Sequence, residues 1–532
     1  MIDTAALREK VLDLAIRGKL VPQDPNDEPA SVLLERIRQQ KQQMVKDGKL
    51  KPKDIKGDTV IFVGDDNLHY EKFADGSVKC IEDEIPFGIP DAWVWVRLGD
   101  LAQYKKGPFG SSITKAMFIP DSPTAIKVYE QKNAINKDAS LGSYYVSAEK
   151  YESLRGFEVF PNDIIVSCAG TIGETYVMPE TMRKGIINQA LMKISLYDLG
   201  IIDFYLIYFD CQLKNAAREQ GHGVALKNIP PFDVLKKYLV PIPPIQEQNR
   251  IVRAVGNLLG TVNAVDTARD EFLDLVGSVK SKILDLAIRG KLVPQDPADE
   301  PASALLERIR AEKEELIRQG KIKHDKKESV IFRGEDNSYY LSMNGKTILV
   351  DDSSIFDLPD SWKWTTLPTI ASIDLGKTLD RAKNTGKLYP YLRSVNVQWG
   401  SVDLTDVKEM RFEDSEIEKY TVTKHDLLIC EGGDVGRCCV WTDEKDFLYQ
   451  NALHRVRMFA DLNPHFYQYV LMAYEAQGVL KRISTGVTIK HLTGNTLSQM
   501  PVPLPPIAEQ QRIVERINSL FLCLDSMINC LN

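Results

Sequence analysis

The pattern of apolar positions is most regular between residues 251 and 286. Apolar side chains recur there with alternating spacings of four and three residues, interrupted only by Arg269. Such sustained spacing predicts a coiled-coil helix, with one long core helix of a bundle as the alternative. A diproline at residues 243–244 and Gly290 bound a helix of about 45 residues, a rod of roughly 65–70 Å. The apolar positions are Ile251, Val255, Leu258, Val262, Val265, Phe272, Val276, Val279, Ile283 and Leu286.

The same spacing appears at both ends of the chain. Counting along an internal repeat, Asn532 corresponds to Asp270 and Met1 to Leu273, so the two ends would together form a second rod in two pieces. We therefore expect Met1 and Asn532 to be near neighbours, and the duplicated segments to lie at opposite ends of the molecule. The positions in question are Ile513, Ile517, Leu520, Leu524, Met527 and Leu531, continued by Leu7, Val11 and Leu14.

The internal repeat consists of matched segments in the two halves of the chain. The sequence LDLAIRGKLVPQDP occurs unchanged at residues 12–25 and 284–297, and helices closed by Gly48 and Gly320 follow it. The other matches are TVIFVGDDNLHY with SVIFRGEDNSYY, IPDAWVWVRL with LPDSWKWTTL, and VPIPPIQEQNRIV with VPLPPIAEQQRIV.

Between these matched segments the two halves diverge. Only weak likeness remains, as between NQALMKI at residues 188–194 and QNALHRV at residues 450–456. Each half is thus a similar frame around a variable middle. This organisation is expected of two readers of different targets built on one scaffold.

Composition is ordinary for a soluble globular protein, at 43% hydrophobic and 27% charged residues. The sequence predicts no transmembrane span and no secretory segment, and its eight cysteines form no C-x-x-C pair, as expected of reduced thiols in the cytoplasm. The net charge of −7 does not by itself suggest a nucleic-acid binder. Contacts with phosphate would have to come from local patches or from partner subunits.

Motifs for catalysis are missing from the sequence. NIPPF at residues 228–232 and NPHF at residues 463–466 only approach the aminomethyltransferase motif, and there is no G-x-x-x-x-G-K-(S/T) loop. Asp121, Glu130 and Lys132 fit a loose nuclease pattern that also arises by chance. We therefore predict a non-catalytic chain without a cofactor or a metal.

The ordered set of features resembles a known family. Two variable regions, introduced by PDAWVW or PDSWKW and closed by PIPPIQEQNRIV or PLPPIAEQQRIV, are separated by heptad helices that end in LDLAIRGKLVP. This is similar to the specificity subunit of type I restriction–modification systems. The resemblance implies that each variable region is a target recognition domain for one half of a split double-stranded DNA site. It also implies two methyltransferase (modification) subunits as partners, which would bind S-adenosylmethionine, and restriction subunits that would use ATP.

The predicted fold is α+β, with two mixed α/β target recognition domains joined by long antiparallel coiled-coil helices in a pseudo-twofold, circular arrangement. The recognition domains are expected at residues 85–243 and 355–505. The central coiled-coil helix is expected at 244–290 and its C-terminal counterpart at 506–532. Residues 1–84 would complete the second rod and add a basic helix and linker, which residues 291–354 would repeat.

Candidate DNA-contacting residues are those whose side chains can read base edges or bind phosphate from loops. For any one of them a structural or solvated role remains an alternative. Gln131 and Arg393, each unique to one half, are better candidates for specificity, whereas Lys227 and Lys490, shared by both halves, suit phosphate. In the first domain the candidates are Lys105, Lys106, Ser111, Ser112, Lys127, Tyr129, Gln131, Asn133, Asn188, Gln189, His222 and Lys227. In the second they are Arg381, Lys383, Arg393, Asn396, Gln398, Gln450, Asn451, Arg455, Thr488, Lys490 and His491.

The sequence leaves two other interpretations open. One is a coiled-coil scaffold with two protein-binding domains and no DNA specificity. The other is a stand-alone DNA enzyme whose motifs have drifted beyond recognition, which the missing cofactor loops disfavour.

Overall fold

The computed structural model describes residues 3–169, 171–220, 232–322, 329–343, 345–350, 355–380, 384–484 and 491–531. The chain divides into two compact units, residues 2–268 and residues 269–532, with the boundary inside one long helix. Helices and strands are mixed throughout both units, which agrees with the predicted α+β class.

The first unit contains a helical N-terminal part, a small sheet and a mixed α/β domain. Its helices, the last of which continues into the second unit, are α1 (Thr4–Ile16), α2 (Ala30–Lys46), α3 (Pro52–Ile55), α4 (Leu98–Leu101), α5 (Gln131–Ile135), α6 (Ala148–Leu154), α7 (Ile202–Gln220), α8 (Phe232–Leu235) and α9 (Ile245–Ile288). Its strands are β1 (Thr59–Val63), β2 (His69–Phe73), β3 (Val78–Cys80), β4 (Val94–Arg97), β5 (Ala102–Lys106), β6 (Ile126–Tyr129), β7 (Tyr145–Val146), β8 (Glu158–Val159), β9 (Ile164–Ser167), β10 (Thr175–Val177), β11 (Gly185–Ile187), β12 (Leu191–Leu196) and β13 (Leu239–Ile242).

The second unit repeats this plan. Its further helices are α10 (Ala302–Arg318), α11 (Leu367–Ile370), α12 (Pro464–Ala476), α13 (Val479–Ile483), α14 (Gly494–Gln499) and α15 (Ile507–Leu531). Its strands are β14 (Ser329–Arg333), β15 (Tyr339–Met343), β16 (Lys346–Leu349), β17 (Lys363–Thr366), β18 (Ala371–Leu375), β19 (Lys387–Leu392), β20 (Val397–Gln398), β21 (Ser401–Val402), β22 (Lys408–Phe412), β23 (Thr421–Val422), β24 (Leu427–Cys430), β25 (Cys438–Val440), β26 (Phe447–Tyr449), β27 (Leu453–Met458) and β28 (Pro501–Leu504).

The two mixed domains share one topology. In the first, the sheets have the orders β10-β9-β12-β5 and β7-β6-β11-β8; in the second, they are β25-β24-β27-β18 and β22-β19-β26-β23. The parallel pair β6–β11 recurs as β19–β26, within otherwise antiparallel sheets. The antiparallel pair of β4 with β13, which joins the beginning and the end of the first mixed domain, recurs as β17 with β28 in the second. The variable middles therefore fold alike although their sequences have diverged.

The long apolar pattern forms one helix, α9, of 44 residues. Within the first unit, Val11 and Leu12 of α1 join a cluster that contains Ile251 and Val255 of α9. Arg8 pairs with Asp266 at 2.9 Å, so α1 runs antiparallel to this part of α9.

The part of α9 in the second unit has its own helical neighbour. Ile513 and Ile517 of α15 share a cluster with Ile283, and Lys280 pairs with Asp525 at 2.5 Å. Not every position of the 4-3 pattern is covered, since Leu258, for example, remains 42% exposed. The supercoil and the pseudo-twofold axis remain predictions.

In each half, the tryptophan of the PDxW motif contacts a buried glutamate of the PPIxEQxRIV motif. In the first unit, the Trp93 Nε1 donates to Glu247 at 2.9 Å and Gln23 donates to the same carboxylate at 2.7 Å. Arg250, one turn along α9, pairs with Asp27 at 2.5 Å. Glu247 is 1% exposed, and burial raises the pKa of its carboxyl. These contacts tie the linker after α1, the start of the domain and the start of α9 together.

The second unit builds the same junction from the matching residues. Trp362 and Gln295 donate to Glu509 at 2.8 and 2.5 Å, and Arg512 pairs with Asp299 at 2.6 Å. The repeated PDxW and PPIxEQxRIV motifs are therefore explained by packing and hydrogen bonding at this junction.

Trp93→Phe is expected to destabilise the first unit by about 1–3 kcal/mol, because the buried Glu247 carboxylate loses a hydrogen-bond donor. Trp95→Phe is the matched control, since the buried Trp95 Nε1 has no hydrogen-bond partner among the described residues. Urea unfolding followed by circular dichroism measures both variants. Equal losses of stability would contradict a role for the Trp93–Glu247 hydrogen bond.

Candidate nucleic-acid interface

Loops from different strands converge at one end of the first mixed domain. The loop after β5 is pressed against the turn between β11 and β12: the Gly107 N–H donates to the Leu191 carbonyl at 2.9 Å. A Cβ at Gly107 would lie 1.8 Å from the Asn188 carbonyl oxygen, so only glycine permits this approach. The loop after β9 joins them through a 2.9 Å bond from the Cys168 N–H to the Ala190 carbonyl. We call these loops the first loop end.

The second domain has an equivalent second loop end. A Cβ at Gly376, after β18, would lie 2.3 Å from the backbone of Gln450, between β26 and β27. The Glu431 N–H, after β24, donates to the Ala452 carbonyl at 2.9 Å. His491 contacts the loop after β24 through a β-bridge to Gly432. The same loops therefore meet in both domains, at the same positions in the topology.

A buried asparagine supports the loop after the central strand in each domain. Asn133 accepts from the Glu130 N–H and donates to the carbonyls of Asp138 and Leu141, both at 2.8 Å. Asn396 accepts from the Arg393 N–H at 2.9 Å and donates to two further carbonyls at 2.9 and 3.0 Å. The segments around the two asparagines have no similar sequence, so their equivalence is evident only in the structure.

The equivalence also aligns the two residues that directly precede each asparagine, which we call the loop tip. Gln131 and Lys132 of the first domain occupy the positions of Ser394 and Val395 of the second, between the residue that caps the turn and the asparagine. A fixed loop frame with variable tip residues is an arrangement suited to selecting between different bases.

At the first loop end the structure gathers most of the exposed candidates. Lys105 and Lys106 lie at the end of β5, and neither forms an ion pair among the described residues, although the Lys105 ammonium lies 5.0 Å from the centre of the Phe157 ring. Gln131 donates to the Ala169 carbonyl, which brings its loop to the loop after β9. The remaining candidates here, exposed or half-buried, are Ser111, Ser112, Asn188 and Gln189.

Three candidates of the first domain lie inside the protein. Lys127 is 3% exposed, donates to the Ser140 carbonyl at 2.9 Å, and has its pKa lowered by burial. Tyr129 is fully buried, donates to the Arg183 carbonyl at 2.5 Å, and has its pKa raised by burial to about 12. Asn133 is also buried, as the support described above. We do not assign base contacts to these three, because their polar atoms face other parts of the domain.

In the second domain the half-buried candidates Gln398, Gln450 and Asn451 and the exposed His491 lie in or beside the second loop end. Arg393 forms an ion pair with Asp406 at 2.8 Å, which restricts the movement of its guanidinium towards a ligand.

Two other candidates of this domain are buried. Arg455 is 6% exposed and pairs with Asp374 at 2.8 Å, so its guanidinium supports β27 and β18. Asn396 is 2% exposed and supports its loop. A sequence pattern cannot distinguish these buried polar side chains from exposed ones. The candidates His222, Lys227, Arg381, Lys383, Thr488 and Lys490 lie outside the described residues.

Exposed apolar side chains also lie in these loops, although the sequence predicted only polar ones as base readers. Phe109 is 86% exposed in the loop after β5, and Val395 is 52% exposed at the tip of its loop. Such side chains can contact thymine methyl groups or pack against bases. The position of Phe109 between Gly107 and Gly110 was the available signal.

The loose nuclease pattern does not form a metal site in the described part of the chain. Asp121 pairs with Arg183 at 2.6 Å and Glu130 pairs with Lys132 at 2.9 Å. Among the described residues, no group of three or more His, Cys, Asp or Glu side chains could hold a metal ion. Nor does any described helix have the length and apolarity needed to cross a membrane.

The chain is similar to proteins of type I restriction systems in both sequence and structure. A family model described as the type I restriction modification DNA specificity domain matches residues 90–268 and 359–529. The chain is 27% identical to the type I restriction enzyme EcoAI specificity subunit of Escherichia coli, over 97% of this chain and 88% of that relative. It is 25% identical to the EcoEI specificity subunit of Escherichia coli, over 98% and 89%. A chain from a solved structure of the type I R-M system matches with a TM-score of 0.50 at 16% identity, over 84% of this chain and 94% of that chain, and supports the fold.

Proposed function

The chain belongs to the family of type I restriction modification DNA specificity domains, and we propose that it recognises a bipartite DNA target with its two mixed domains. Each domain reads one half of the target through its loop end. The observation that carries this proposal is the recurrence of one loop frame in both domains with different residues at the loop tips. Gln131 and Lys132 in one frame and Ser394 and Val395 in the other would select different bases.

In the proposed complex this chain is a non-catalytic subunit. Two modification subunits would supply the methyltransferase chemistry, and restriction subunits would cut the DNA. With a net charge of −7, the chain alone would bind DNA weakly, so its partners would supply many of the phosphate contacts. All eight cysteines are free thiols, as suits a protein that acts in the cytoplasm.

We further propose that the recognition domains occupy residues 85–243 and 355–505, and that the helices α1, α9 and α15 form antiparallel coiled-coil rods. Those rods would fix the distance between the half-sites. The 44-residue length of α9 and the pairings Arg8–Asp266 and Lys280–Asp525 support this view.

The experiment that tests the function is gel-shift binding to a library of split DNA sites, with and without the co-expressed modification subunit. We expect selection of one bipartite sequence by the complex, and weak, salt-sensitive binding by the chain alone. Absence of sequence selection by the complex would refute the proposal.

Two single substitutions at the first loop end should have different effects. Lys106→Ala should weaken binding to all DNA sequences alike and reduce the salt slope by about 1, as expected for one phosphate contact. Gln189→Ala should relax discrimination at one position of the first half-site, by about 1–3 kcal/mol, and leave the second unchanged.

Lys237→Ala is the control, because this exposed lysine follows α8 near the start of β5, away from Lys106. Titration of binding against salt for matched and mismatched sites measures all three variants. Uniform weakening by Gln189→Ala would contradict its assignment as a base reader.

A further inference from the structure

Each unit carries a small three-stranded sheet outside the residues that the family model matches. The sheets are β1-β2-β3 and β14-β15-β16, before the matches at 90–268 and 359–529. In both, a phenylalanine of the first strand stands opposite a tyrosine of the second, Phe62 opposite Tyr70 and Phe332 opposite Tyr340. The ring centroids are 5.9 Å apart in each pair, at interplanar angles of 26° and 25°.

These rings lie on the outer face of each sheet. Phe62 is 41% exposed and Phe332 43% exposed, and the neighbouring valines on the same face, Val60 and Val330, are 37% and 51% exposed. We call each such surface, Val60 with Phe62 and Tyr70, or Val330 with Phe332 and Tyr340, an aromatic face.

The buried side chains of each sheet come from the side opposite its aromatic face. The opposite side of the first sheet supplies Ile61, 6% exposed, to a cluster with Trp95, and the second supplies Leu341, 4% exposed. Grouped aromatic and aliphatic side chains left on a surface often mark a protein interaction site.

The turn beside each face has the same construction. The Tyr70 hydroxyl donates to Asp66 at 2.7 Å, and the Tyr340 hydroxyl donates to Asp336 at 2.8 Å. A Cβ at Gly64 would lie 2.8 Å from the Tyr70 ring, so the turn packs directly on the aromatic side chain. The hydrogen bond from the tyrosine lowers the pKa of each aspartate, so a negative charge is held at the edge of the face.

Elsewhere on the two outer faces the residues differ. Lys72 and Val78 in the first sheet stand where Ser342 and Thr347 stand in the second. The stacked pair, the valine and the aspartate are therefore the features that the two copies share.

We propose that each aromatic face docks one copy of the same protein partner, which presents an apolar patch flanked by lysine or arginine. The aspartate that the two faces share would repel DNA phosphate and attract a basic group, which favours a protein over DNA as the occupant. Two copies of one face in one chain match a partner that binds twice. This inference rests on the proposed function, within which that partner is the modification subunit.

The test counts partner copies by native mass spectrometry of the full chain co-expressed with the modification subunit. Two copies are expected for the unaltered chain, one for Phe62→Ser, one for Phe332→Ser, and none for the double variant. The affinity of each altered face should fall at least about tenfold, as expected when an aromatic side chain is removed from the centre of an interface. Val60→Lys and Val330→Lys keep both aromatic stacks and should reproduce the loss by placing a positive charge against a basic partner.

Leu199→Ser and Leu388→Ser are matched controls, because these leucines are 49% and 55% exposed outside the aromatic faces, and both should retain two copies. Two copies bound at unchanged affinity by all the face variants would overturn the inference. So would self-association of the chain alone that the same substitutions abolish, since the occupant would then be a second copy of this chain. Sequence-selective DNA binding by the unaltered complex is measured in parallel, and its absence would count against the proposed function and leave the docking result intact.

Discussion

A chain in which residues 98–239 are replaced by residues 367–501 is expected to recognise a bipartite target with two identical halves. The exchange gives both units the second recognition domain. Its junctions fall at matched places, because β4 pairs with β13 as β17 pairs with β28. The junction around Glu247 is preserved, since Trp93 and Glu247 lie outside the exchanged segment. The first half of the recognised sequence should therefore change completely and the second should not change.

Mapping of methylated sites in DNA from cells that carry the exchanged chain and its modification subunit measures this result. A reciprocal chain, with residues 98–239 in place of 367–501, is the matched control and should duplicate the other half-site. If the exchange altered both halves, or neither, the assignment of one half-site to each domain would be wrong.

The second large effect is expected from an insertion into α9. Seven residues placed between Ala268 and Arg269 lengthen the helix by about 10 Å, roughly three base pairs of DNA, with a rotation of only about 20°. The site lies at the boundary between the two units, so the packing of α1 on one part of α9 and of α15 on the other is kept. We expect the spacer between the half-sites to lengthen by about three base pairs, or specific binding to be lost if the DNA rotation cannot be accommodated.

A two-residue insertion at the same place is the control. It lengthens the helix by only about 3 Å but rotates the C-terminal part of α9 by about 200° relative to the N-terminal part, so it should abolish specific binding. Selection from a library of targets with variable spacers measures both variants. An unchanged spacer preference in the seven-residue variant would refute the proposed role of α9 in setting the distance.

Some features of the fold followed from the sequence because they depend on local chemistry. The spacing of apolar residues and the bounding Pro243, Pro244 and Gly290 predicted one long helix, and α9 occupies residues 245–288. Gly48 and Gly320 were predicted to close helices, and both adopt left-handed φ values, of 71° and 70°, just after α2 and α10.

The candidate site was less predictable, because residue type does not reveal which way a side chain points within a sheet. Lys127, Tyr129 and Arg455 have the chemistry of base readers but lie on strands with their side chains inside the domain. The equivalence of Asn133 and Asn396 was also hidden, since the residues around them differ and only their backbone partners coincide.

By itself, the sequence determined the duplication of the frame, the long helix and the family, because repeated motifs and periodic apolar positions are properties of the linear chain. The tertiary structure decided which polar residues stand at the loop ends and that the variable middles share one topology. It also decided that the repeated tryptophan and glutamate meet across 154 residues in the first unit and 147 in the second. Those outcomes depend on contacts between distant segments, which only the packing of the folded chain brings together.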